Sequence, residues 1–296
     1  MTTSSYTSDA ERTLQLAERI VGPSSRAPRR LSFSVLAAYI LLSLGAVVMV
    51  VPFIWMILTS LKPAPELVQF AFLPRNPTLD NYVAVLTTSS FGRWYFNSLL
   101  VAIISTTSVA FFDSLVGYTL NKFDFPGKNL IFLGILATLM VPTEMLIIPW
   151  FTMSVDWGWH VGIMQYWGIA FPGVITAVGI FLMRQFFDGV PNELIDAARI
   201  DGVNEFGIWW RIAMPLVKPA VAALCIFNFI GNWNAYLWPL IVASGRQYYT
   251  LPVGLSFFRG EAVTEWEKMM TGASLATVPL LLVFIIFQRQ IIRGLT

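Results

Sequence analysis

An all-α membrane protein with six transmembrane helices is the fold class predicted by three observations. Apolar residues make up 56% of the 296-residue chain and charged residues only 12%, against about 25% charged in soluble domains. The mean hydropathy is +0.66. Six apolar runs recur between polar connectors, each near the roughly 20 residues that a helix needs to cross the hydrocarbon core.

The first 30 residues are too long and polar for a signal peptide. Ala10, Leu14, Ala17 and Val21 share a helical face there, which suits either a helix lying on the membrane or a partly ordered tail. Phe33–Leu58 carries no charge and is the first span. Lys62–Arg93 follows, with Pro63, Pro65, Pro74 and Pro77. A connector of that length and proline content is expected to be extended and to pack on something. Trp94–Leu120, broken only by Asp113, is the second span, and Asn129–Phe151, containing Glu144, is the third. Trp157 and Trp159 in the short connector Thr152–Gln165 suit a membrane interface. Tyr166–Phe187 is the fourth span, with Arg184 near its end, Ala220–Ala243 the fifth and Met269–Phe287 the sixth. Ser244–Lys268 is a second long connector. Pro52, Pro142, Pro149, Pro172, Pro239 and Pro279 fall inside spans. Membrane helices tolerate such kinks when neighbours satisfy the freed carbonyls.

Six spans put both termini on one side. Thirteen of the nineteen Lys and Arg fall on that side, including five in the N-terminal segment and Arg199, Arg211 and Lys218 between the fourth and fifth spans. Six, among them Lys62, Arg93 and Arg246, fall on the other. The excess of basic residues on cytoplasmic loops predicts that both termini are cytoplasmic.

Several function classes are excluded. A net charge of +2 supplies no basic patch for nucleic acid. One cysteine, Cys225, makes no disulfide framework, and one histidine, His160, makes no multi-histidine metal site. Gly127-Lys128 is followed by Asn129, and position 122 is Lys122, so a phosphate-binding loop is not formed.

The polar stretch Asn192–Leu216 reads as two short helices. Pro191 and Asn192 start the first, with Glu193 in its first turn, where the helix dipole favours an acid. Gly202 tolerates the left-handed backbone that ends a helix. Asn204 caps the second helix and Glu205 sits just inside it. Pro215 is expected to limit it. Phe206, Trp209, Trp210 and Ala213, at i, i+3, i+4 and i+7, form one apolar face. Such a face on a membrane protein is expected to meet a partner.

This stretch resembles the cytoplasmic loop of bacterial ABC importer permeases. That family's pattern is Glu-Ala-Ala, three residues, Gly, nine residues and Ile-x-Leu-Pro. Asp196-Ala197-Ala198, Gly202 and Ile212-Ala213-Met214-Pro215 match it in order and spacing, with Asp196 for the Glu and Met214 for the Leu. Gly231–Leu240 and Gln288–Thr296 are similar to the carbohydrate-importer branch, the maltose-type second permease. The resemblance covers roughly residues 33–296. It implies the six-helix type I ABC importer permease fold. It also implies a second homologous permease, two ATPase subunits and an extracytoplasmic solute-binding protein in the inner membrane system. ATP and Mg would be bound by the partner ATPase, with no cofactor on this chain and no covalent catalysis by it. The coupling residues it implies are Asp196, Ala197, Ala198, Asp201, Gly202, Phe206, Trp209 and Pro215. The glycerol-3-phosphate branch is similar as well, through Thr264-Glu265-Trp266 and the RGLT ending. A different class, an ion-coupled secondary transporter, predicts an inverted repeat, which the sequence does not display.

Four residues are candidates for the translocation path. Glu144, between Pro142 and Pro149, is an acid at membrane depth, facing a cavity or paired as a structural carboxylate. Asn228 and Asn232, at i, i+4, either join helices or line a pore. Asn234 pairs with Trp238 at the same spacing; a Trp there stacks on a sugar ring or anchors a span end. Asp113 reads instead as an interfacial acid paired with Lys122 or a partner's basic group.

Overall fold

The computed structural model describes residues 33–68, 71–88, 90–260 and 264–295. The amphipathic pattern Ala10–Val21 lies outside these. The chain falls into two compact units that divide at Pro52. The first unit contributes the start of α1 (Phe33–Ser60), a helix with Pro52 inside it. From Phe33 to Pro52 every side chain is exposed. A helix that is apolar all round has no polar face to turn to water, which is the pattern of a span facing lipid or another membrane chain.

The second unit is built of helices joined by turns and loops, with no strand among its described residues. After α1 comes a 3-10 turn (Ala64–Val68) and α2 (Asp80–Thr88). The connector is therefore folded rather than extended. Glu66 accepts hydrogen bonds from the Arg75 and Asn76 backbone N–H groups at 3.0 and 2.9 Å and from Asn76 Nδ2, which clasps the proline-rich strand of chain. These bonds favour the ionised carboxylate, led by the one from the Arg75 N–H, and lower its pKa.

The long helix α3 (Phe91–Lys122) is central. It packs mainly on α7 and α10, defined below. After it come α4 (Lys128–Thr138) and α5 (Ile147–Asp156). The third predicted span is thus two helices meeting at 93°. Pro142 sits at the break, where its missing N–H costs nothing. Next are α6 (Gln165–Ala170) and α7 (Ala177–Asp188), with a 3-10 turn holding Pro172 between them and a bend of 56°. The fourth predicted span is therefore also bent. Then come α8 (Asn192–Ile200) and α9 (Glu205–Leu216), α10 (Lys218–Trp233) and α11 (Leu237–Val242). The fifth predicted span is interrupted at Asn234–Tyr236. Short α12 (Leu251–Ser256) precedes α13 (Trp266–Leu295), which contains Pro279. Among the described residues, three helices are long and apolar enough to cross a membrane unbroken, and the number is up to six if each bent pair counts as one span. The third pair is α9 with α10, of which α10 lies in the fifth predicted span.

Three apolar clusters hold the unit together. One surrounds the C-terminal end of α3 and includes Tyr118, Met183, Phe187, Ile195 and Trp209. A second lies at its N-terminal end around Phe91, Trp94, Trp233 and Leu251. A third, between them, joins Val101, Ile169, Ala170 and Val242.

Asp113 is buried in the middle of α3, which differs from its expected pairing with Lys122. Its carboxylate accepts from the Thr176 backbone N–H at 3.0 Å and from Thr176 Oγ1 at 2.7 Å. Thr176 caps α7, its Oγ1 accepting from the Gly179 N–H. The acid therefore sits at a helix N-terminus, where the dipole favours negative charge. A Cβ on Gly179 would come within 2.0 Å of Asp113 Oδ2, so this approach of α3 and α7 requires glycine.

Candidate functional site

The segment Asn192–Leu216 folds as a pair of helices on a rigid seat. α8 ends in a Schellman turn: the Gly202 N–H donates to Arg199 O and the Val203 N–H to Ala198 O, each at 3.0 Å. Gly202 has φ +78°, which a residue with a Cβ adopts only at a cost of about 1–2 kcal/mol. Asp201 is the exposed residue before that turn. Asn204 then caps α9, its side chain accepting from the Gly207 N–H at 2.7 Å.

Arg199 fastens the two helices, a role the sequence reading missed. Its Nε donates to Glu205 Oε1 at 2.7 Å, its Nη2 to Glu205 Oε2 at 3.3 Å, and its Nη1 to Asp196 Oδ1 at 3.0 Å. The bonds that Arg199 donates to Glu205 come first in raising the Arg199 pKa above its ordinary value. Asp196 keeps a carboxylate in this bridge despite being a methylene shorter than Glu. The signal that could have found Arg199 is its spacing, i+3 from Asp196 and six residues before Glu205 across a glycine turn.

The seat is the end of α3. Lys122 Nζ donates to Val190 O at 2.6 Å and to Asn192 Oδ1 at 2.8 Å. Asn121 Nδ2 donates to Arg184 O and to Asp188 Oδ1. Ile195 and Ala198 of α8, with Ile208, Trp209 and Ala213 of α9, are buried against Tyr118, Met183 and Phe187.

The four-residue apolar face is split, and Trp209, expected among the coupling residues, lies on its buried side. Trp209 is 0% exposed and Ala213 is buried with it, while Phe206 and Trp210 are each 54% exposed. Trp209 and Ala213 lie on the side of the helix that also buries Ile208, and Phe206 and Trp210 on the other; a π turn spans Trp209–Ala213. Trp209 meets Phe111 edge-on at 5.4 Å; it is a core side chain that cannot touch a partner. The same π turn carries α9 past Pro215. The helix continues to Leu216 instead of stopping before the proline, because the widened turn does not call on the missing N–H. It breaks at Val217, where α10 departs at 86°.

What remains outward is a hollow of about 380 Å³ lined by Gly202, Asn204, Phe206, Trp210 and Arg211. Asp196, Ala197 and Pro215 are exposed beside it, and Ile200 is 87% exposed. Ala198, expected among the coupling residues, faces inward and acts by packing. The surface is apolar with one cation and a fixed shape, which suits binding.

Three of the candidate path residues, Asn228, Asn232 and Asn234, lie on α10 or at its end, and Glu144 lies between α4 and α5. Asn228 and Asn232 are half-buried and tied to neighbours. Asn228 Nδ2 donates to Gly173 O at 3.3 Å and its Oδ1 accepts from Thr106 Oγ1, while Asn232 Nδ2 donates to Asn228 Oδ1 at 3.0 Å. These contacts join α10 to α3 and to the bend before α7. Asn234 is exposed at the break after α10, its Nδ2 donating back to Ile230 O. Glu144 is exposed in the turn between α4 and α5 and has no partner among the described residues. Of the two readings of Glu144, a carboxylate facing a cavity or a paired one, the pairing finds no partner among the described residues. Trp238 Nε1 donates to Gly168 O, tying α11 to α6.

The model of the family described as binding-protein-dependent transport system inner membrane component matches residues 113–296. The arabinooligosaccharide transport system permease of Bacillus subtilis (strain 168) is 38% identical over 250 residues, 83% of this chain and 88% of that protein. The lactose transport system permease of Rhizobium radiobacter is 32% identical, covering 87% and 93%. The sn-glycerol-3-phosphate transport system permease of Brucella abortus (strain 2308) is 32% identical, covering 88% and 95%. A crystal structure of a bacterial ABC transporter that imports alginate contains a chain of the same fold, with a TM-score of 0.74 at 22% identity over 92% of this chain and 97% of that one.

Proposed function

The chain belongs to the family of binding-protein-dependent transport system inner membrane components, and on that premise we propose that it is the carbohydrate-importing kind, coupled to ATP hydrolysis through Phe206, Trp210 and the Gly202 turn. The observation that carries the coupling role is the outward hollow on a helix pair locked by Arg199 and seated on α3. A partner ATPase, holding ATP and Mg, would push this pair as one body. The push would pass to α3 through Lys122 and Asn121 and to α10 through the break at Val217. The transporter would then shift between two packings, inward- and outward-facing, with nucleotide biasing their populations. A second, homologous permease would face the exposed spans, and a solute-binding protein would deliver solute at the opposite side. The chain's own part is conformational, and both termini lie in the cytoplasm in this reading.

Carbohydrate is supported by relatives named for arabinooligosaccharide and lactose transport. The glycerol-3-phosphate reading is supported by four relatives named for sn-glycerol-3-phosphate transport, at 32% to 36% identity, and is the second. The test is uptake by the reconstituted full transporter with its binding protein. Labelled arabinooligosaccharide or lactose should accumulate with ATP inside. Accumulation of glycerol-3-phosphate and of neither sugar would replace the carbohydrate reading with the second.

A further inference from the structure

Lys62 follows the end of α1 and is only 3% exposed. Its ammonium donates to the Ala71 carbonyl, one bond for a group with three donors. No ion pair joins it to a described carboxylate. Glu66 is taken up by the Arg75 and Asn76 backbone, and Glu265 by Lys268. A buried ammonium without a counter-charge is costly. Thr59, one turn earlier on α1, is also 3% exposed, and its Oγ1 has no hydrogen-bond partner among the described residues. Both side chains line one cavity of about 510 Å³, whose other walls include Trp55, Phe72, Trp266 and Met270. That volume is in the roughly 300–1,000 Å³ range of small-molecule sites.

The two polar groups ask for an anion that also accepts a hydroxyl, and the remaining wall asks for hydrocarbon. Trp55 and Trp266 are about half exposed beside it, and Phe53, Ile54 and Ile57 of α1 are exposed nearby. Tryptophan at the end of a span marks the headgroup level, where a membrane places its phosphates. A lysine at a span end ordinarily reaches out to water, whereas this one is held inward. We propose that this cavity is a phospholipid site: the phosphate pairs with Lys62 and Thr59 Oγ1, and the start of an acyl chain lies among Trp55, Phe72, Trp266 and Met270. The lipid would fix the end of α1 to α13 and to the folded connector.

The assembled transporter, stripped of lipid in detergent, tests this by native mass spectrometry with three probes: phosphatidylglycerol, a diacylglycerol with the same chains, and inorganic phosphate. Phosphatidylglycerol should bind the wild type most tightly. Lys62→Met should weaken it about tenfold or more, the loss of one charge-assisted contact, and Lys62→Arg should retain it. Met270→Trp fills the apolar part and keeps the ammonium, so it should also weaken the lipid while leaving the assembly intact. Equal binding of phosphatidylglycerol and diacylglycerol would overturn the phosphate contact. Binding of inorganic phosphate as tight as that of the lipid would overturn the lipid as source. Unchanged lipid binding in both Lys62→Met and Met270→Trp would overturn the site and leave the cavity to a side chain of a partner subunit.

Discussion

Trp209 and Trp210 are adjacent in sequence with rings 5.4 Å apart, yet Trp209 is buried and Trp210 is half exposed. Trp209 fills the cluster between α3 and α9, so Trp209→Ala should cost about 3–5 kcal/mol, as for other buried aromatics, and lower the melting temperature of the solubilised complex. Trp210→Ala leaves that cluster intact. Its stability effect should be within about 0.5 kcal/mol, while ATP-driven uptake falls. A Trp209→Ala complex that melts like the wild type would contradict the packing. Glu144 is exposed at the α4–α5 break with no partner among the described residues. Glu144→Gln should therefore leave melting unchanged and alter transport rate or solute preference. A lower melting temperature with normal transport per folded complex would make it a structural pair with another subunit.

The α8–α9 pair acts as one body because of a turn and a three-residue ion bridge. Surface ion pairs are each worth about 0–1 kcal/mol, so Arg199→Ala should not unfold the chain. It should loosen the pair, leaving ATP hydrolysis running with uptake reduced. Gly202→Asp should do the same more strongly, since φ +78° disfavours any side chain. Wild-type uptake by Gly202→Asp vesicles would sink this reading. The turn was legible in the sequence because Gly202 and Asn204 each have one local job, and local chemistry is what sequence displays. The π turn was not, because a helical wheel presumes 3.6 residues per turn and nothing in Trp-Trp-Arg-Ile-Ala announces five-residue bonding. The bends were half legible. Pro142 and Pro172 mark them, but an apolar run reads the same whether the chain passes straight on or turns 93°. The Thr59–Lys62 cavity was illegible, since α1, α13 and the connector come together only in the fold.

The architecture of six membrane-crossing elements followed from apolar length, while the basic residues, independently of the motif, set an expectation of sidedness. Sidedness is directly testable. Ser256 is half-buried, its hydroxyl donating to Val253 O, so the exposed Arg259 in the next turn is the better reporter. A cysteine at Arg259, in a chain whose Cys225 is replaced by alanine, should react with an impermeant reagent outside intact spheroplasts. Labelling only after permeabilisation would reverse the topology. The central claim is that the exposed side chains of α9, and not its buried ones, receive the ATPase. The most direct measurement is ATP hydrolysis and uptake, side by side, for the double variant Phe206→Ala, Trp210→Ala in proteoliposomes of the full transporter. The account predicts a complex that melts as the wild type does, has lost its grip on the ATPase subunits during purification or hydrolyses without transport, and takes up little solute. Full uptake at wild-type coupling by a stably folded double variant would contradict it.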